Sequence, residues 1–136
     1  MELNQFIRKS HISENLIRAV VRQSGGWYNF AEMAEDITNH GVDGGFNGWI
    51  YHSDTVAFAK RNKHNIFLLA KDMASDLGEE LFTMIGGFKC LKMTPEAVAE
   101  AIYNPRSDDR VQVFNALAWF AAEEVARSYV DTKEGE

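Results

Sequence analysis

Apolar residues recur at three- and four-residue spacing along most of the chain. Leu16, Ile17, Val20 and Val21 form the first such stripe, the periodicity that gathers side chains on one face of an α-helix. Ser13 stands where a capping residue belongs, and Ser24-Gly25-Gly26 stops the run. Asn29-Phe30-Ala31-Glu32 has the form of a capping box. It opens a second stripe through Phe30, Ala34 and Ile37, which Gly41 is expected to end as a left-handed residue. Ser53 or Asp54 then caps a longer helix whose apolar face is Phe58, Ile66, Leu69, Ala70, Met73 and Leu77, with Gly78 as its stop. The polar run Lys60-Arg61-Asn62-Lys63-His64-Asn65 interrupts that face and offers a break into two pieces.

Glu79 and Glu80 start a short helix through Leu81, Phe82 and Ile85, stopped by Gly86-Gly87. Thr94-Pro95-Glu96 combines a cap, a proline at the first helical position and an acid in the first turn. The last helix is expected from about Asp108 to Asp131, with Phe114, Leu117, Ala118, Ala121 and Val125 buried and Thr132 to Glu136 frayed. Only Trp49-Ile50-Tyr51 and Phe88-Lys89-Cys90-Leu91 look extended. No repeat, low-complexity tract or linker divides the sequence. Residues 1–136 are therefore expected to form one compact all-α domain, a bundle of about five to seven helices with at most a minor two-stranded element.

Composition narrows the class. With 46% hydrophobic and 12% aromatic residues, the chain has ample material for a core of large side chains. No apolar run approaches the roughly 20 residues of a membrane span. A single cysteine, Cys90, excludes an intramolecular disulfide, and the start of the chain has no apolar leader segment. The expected location is the cytoplasm, without a membrane partner. A formal net charge of −6 argues against direct nucleic-acid binding and permits a partner that is itself basic.

Candidate chemistry is sparse. Gly41, Gly44, Gly45 and Gly48 do not form a phosphate-binding GxxxxGK[ST] loop, and they are read as a hinge between helices. His11, His40, His52 and His64 lack metal-ligand spacing, so neither metal nor cofactor is expected. Cys90 sits between Lys89 and Leu91, as a small apolar residue would, and no GxSxG elbow supplies a serine nucleophile. The carboxylates are dense: Glu32, Glu35 and Asp36 on one helix, Asp72 and Asp76 on another, Glu123 and Glu124 well inside the last. Glu123 can pair with Arg127 at i, i+4, and an acid beside Val125 that is half-buried needs a partner.

His40-Gly41…Gly45, Ile50-Tyr51-His52-Ser53-Asp54-Thr55…Phe58 and Leu117-Ala118-Trp119-Phe120-Ala121-Ala122-Glu123-Glu124…Ala126 resemble an uncharacterised family of small phage and mobile-element proteins. That resemblance spans about Glu35 to Ala126. It implies an accessory protein of the bacterial cytoplasm that inhibits a host defence system, in the manner of an anti-CRISPR protein, without catalysis. The partner would be a host defence protein or nucleoprotein complex. Glu32, Glu35, Asp36, Asp72 and Asp76 are the candidate partner-binding residues, with Tyr51, His52, Asp54 and Glu123 as secondary candidates. Two alternatives stand beside it: a small acid/base enzyme using Asp54, His52 and Glu123, and a phage assembly or regulatory module, such as a homodimer through exposed aromatics.

Overall fold

The structure is a computed structural model, and it describes residues 1–45, 55–87 and 91–135. The fold is all-α, with eight helices and no strand among the described residues. They are α1 (Leu3–Lys9), α2 (Glu14–Gln23), α3 (Trp27–Gly45), α4 (Thr55–Arg61), α5 (Lys63–Leu77), α6 (Glu79–Gly86), α7 (Pro95–Tyr103) and α8 (Arg110–Glu134). Two compact units are built from them: Met1–Thr55 with Trp119–Glu136, and Val56–Ala118. Helix α8 supplies residues to both.

In the first unit, Leu16, Ile17 and Val20 of α2 and Phe30 and Ala34 of α3 are fully buried, together with Ala122, Val125 and Ala126 of α8. α1 is absent from the sequence-based expectation. Its one buried residue, Phe6, is enough to fix it. The Phe6 ring meets Trp27, Phe30 and Tyr129 at centroid separations of 6.0, 6.4 and 5.6 Å. Trp27 meets Tyr129 edge-on at 5.2 Å, and its Nε1 donates to the Met1 carbonyl at 3.2 Å. Such ring pairs contribute about 0.5–1.5 kcal/mol each beyond the area they bury.

This cluster explains where α3 begins. Gly25 and Gly26 adopt φ of 93° and 118°, a reversal that other residues resist. The chain then re-enters a helix at once, with Phe30 N–H on the Gly26 carbonyl and Trp27 drawn into the aromatic cluster. Asn29 is therefore inside α3 rather than at its cap, and its side chain turns back to the Gly25 carbonyl at 3.5 Å. Nor does Gly41 end the helix, which continues to Gly45. A helical glycine costs only about 0.5–1 kcal/mol relative to alanine, too little to stop a helix by itself.

In the second unit, Phe58 and Ala59 of α4, Ile66 and Ala70 of α5, Leu81 and Ile85 of α6, and Val98, Ala101 and Ile102 of α7 are buried with Val113 and Phe114 of α8. Asn62 separates α4 from α5, so the polar run does divide that helix. Leu77, expected inside, is 40% exposed because α5 is ending at Gly78. Thr94 caps α7 as its sequence predicts, its hydroxyl accepting from Ala97 N–H at 3.2 Å. Ser53, Asp54, Trp49-Ile50-Tyr51 and the glycine at position 48 lie outside the described residues.

α8 starts at Arg110, two residues after the expected Asp108, because Ser107 ends a turn there and accepts from Arg110 N–H at 3.2 Å. It runs on to Glu134 instead of fraying from Thr132. Thr132 donates its hydroxyl proton to the Ser128 carbonyl at 2.7 Å, and Lys133 pairs with Glu35 of α3.

Candidate functional site

In the first unit, the row Tyr28, Glu32 and Asp36 runs along one side of α3 at four-residue spacing. All three are exposed, Tyr28 at 79%. Glu35 lies beside them but is engaged by the Lys133 ammonium, whose pKa is raised by that hydrogen bond. Tyr28, Glu32, Glu35, Tyr129 and Lys133 line a shallow groove of about 470 Å³. Among the described residues no ion pair involves Glu32 or Asp36. An exposed aromatic ring beside a free carboxylate can hold a cationic side chain by its face and by its charge together.

Asp72 and Asp76, the other predicted pair, are exposed on α5 and belong to the second unit. The charge is distributed unevenly. Of 14 Lys and Arg and 20 Asp and Glu, Val56–Ala118 carries eight of each. The whole formal charge of −6 therefore resides in the first unit.

The second unit holds a feature that periodicity does not reveal. Lys60 of α4, Lys63 of α5 and Arg110 of α8 meet around a cleft of about 280 Å³ whose apolar walls include Val56, Ala59, Val111 and Phe114. The Arg110 guanidinium lies 4.6 Å from the Phe114 ring centroid. Its Nη1 donates to the carbonyls of Ala101 and Ile102, at 3.2 and 2.5 Å, where α7 runs out of helical partners. Its Nε is buried and makes no hydrogen bond. The sequence signal was the basic run from Lys60 to Lys63. Arg110 comes from a distant segment and could not be added to it without the fold.

Of the secondary candidates, Tyr51, His52 and Asp54 lie outside the described residues, as does Cys90. Glu123 forms the expected pair with Arg127, at 2.5 Å. Its neighbour Glu124 is half-buried, and burial pushes its pKa up, against the opposing pull of His11 and Arg127. Among the described residues, no three His, Cys, Asp or Glu side chains come together as a metal site would require. No helix among them is long and apolar enough to cross a membrane.

Among the described residues the fold is all-α, with a groove lined by Glu32 and Glu35 in the first unit and a basic cleft in the second. The chain belongs to the family described as a domain of unknown function, DUF7222, whose model matches residues 9–135. No curated protein and no solved structure matches it.

Proposed function

We propose that the protein works by binding, without turnover, and that the acidic first unit is the part that engages its partner. The observation that carries this reading is the exposed row Tyr28, Glu32 and Asp36 in the unit that holds all of the net charge. A surface of that kind complements Lys and Arg on a partner, speeds their encounter, and repels nucleic acid from the same place. A partner surface rich in Lys and Arg is one that ordinarily holds nucleic acid. Together with the resemblance to mobile-element proteins, this supports reading the partner as a nucleic-acid-handling complex of bacterial defence and the protein as an inhibitor that covers it.

Asp72 and Asp76 take a subordinate place in this reading, because they belong to the electrically balanced unit. Glu35 contributes less than Glu32, since Lys133 already neutralises it. The test is expression in bacteria that carry an active defence system, with phage plating as the readout. Restored plating on at least one system of a broad panel is expected. Unchanged plating on every system would refute the inhibitor reading.

A further inference from the structure

From the cleft of the second unit we infer a phosphate-binding site for a ligand of about nucleotide size, a proposal independent of the acidic unit. Three cations, Lys60, Lys63 and Arg110, face one recess, and among the described residues no carboxylate lines it. An adjoining recess of about 400 Å³ shares those three and adds Arg61 and His64, again with no carboxylate among the described residues. Among the described residues, Asp108 and Asp109, which precede Arg110, are exposed and line neither recess. None of the ion pairs among the described residues involves Lys60, Arg61 or Lys63. Like charges gathered without a counter-ion repel one another, and an anion relieves that repulsion.

The arrangement selects the anion. A single carboxylate would leave most of this charge uncompensated, whereas a phosphate or pyrophosphate offers several acceptor oxygens and more than one negative charge. Lysine ammonium groups bind such groups as point charges on flexible stems. Arg110 is held in place by the Ala101 and Ile102 carbonyls and by the Phe114 ring, so little side-chain freedom remains to be lost on binding. Val56 and Val111, 51% and 69% exposed, offer apolar surface to the rest of the ligand. The volume is close to the lower end of small-ligand pockets, about 300 Å³. A net charge of −6 argues against direct nucleic-acid binding by the chain as a whole, but the local charge at this recess is positive.

Calorimetric titration of the full chain with inorganic pyrophosphate, adenosine monophosphate and a short oligothymidylate tests this. Saturable binding of at least one is expected. Pyrophosphate or the nucleotide binding would identify free phosphate compounds as the source, and the oligonucleotide alone would identify the phosphates of a strand. The paired substitution K60E/K63E should weaken binding about tenfold or more, and K60Q/K63Q should act in the same direction. Arg22→Glu, the same kind of change at an exposed position of the other unit, should leave affinity unchanged. No binding of any of the three at millimolar concentration would overturn the proposal. So would K60E/K63E binding as tightly as the unaltered protein, or R22E losing as much as K60E/K63E.

Discussion

At Glu124 the fold works against an ionised carboxylate. Burial raises its pKa above the ordinary 4.5, although His11 and Arg127 attract the charged form and Glu123 and Asp131 repel it. A carboxyl whose pKa is higher in the folded chain favours folding when protonated. That advantage is lost as pH rises from the unfolded value through the folded one. Glu124→Gln should accordingly leave stability nearly unchanged near pH 4 and raise it above neutrality, measured as a melting temperature at each pH. A variant with the same pH profile as the unaltered protein would show that the burial has no energetic consequence. Gly86 makes a separate demand. A Cβ placed there would come within 2.3 Å of the Met93 carbonyl oxygen, whose own N–H is hydrogen-bonded to Gly86 at 3.0 Å. Gly86→Ala should cost about 1–3 kcal/mol through forced displacement of backbone, and an unchanged chemical-denaturation midpoint would contradict that close approach. From sequence, Gly86 reads only as a helix stop. The approach of Met93 depends on how the chain returns to α7, which no local pattern encodes.

Helices were legible where periodicity and capping chemistry agree. α2 keeps its stripe of Leu16, Ile17, Val20 and Val21, and α7 keeps its Thr94 cap and proline start. Ser13 sits at the predicted N-cap of α2, yet its side chain makes no capping hydrogen bond there. Boundaries moved where tertiary packing decided them. Trp27 joins α3 because the aromatic cluster holds it, and the end of α8 persists because Lys133 meets Glu35 across the unit. α1 was missed because seven residues with one fully buried side chain carry too little pattern to distinguish from a loop. The buried stripe of α8 was visible, and Trp119 on it is 8% exposed. Trp119→Ala should cost about 3–5 kcal/mol. Calorimetric melting within a degree or two of the unaltered protein would place that ring outside the core.

For the whole molecule, the total charge was legible and its distribution was not. The chain gives −6, and only the fold shows that Val56–Ala118 is balanced and that both chain ends build the acidic unit. The proposed acidic binding residues divide accordingly: Glu32, Glu35 and Asp36 share a unit, while Asp72 and Asp76 belong to the other. The basic cleft was hidden for the same reason, since Arg110 joins Lys60 and Lys63 only in the folded unit. The central claim is that exposed charge on α3, rather than an acid/base group, carries the activity. It is tested most directly by phage plating on hosts that carry a panel of defence systems, comparing the unaltered protein and E32K/D36K with E123Q and D54N. The account predicts that E32K/D36K loses the rescue while its melting temperature stays within about a degree or two, since exposed charges contribute little to stability. It predicts that E123Q and D54N rescue plating as the unaltered protein does. Full rescue by E32K/D36K, with loss in E123Q or D54N, would contradict it.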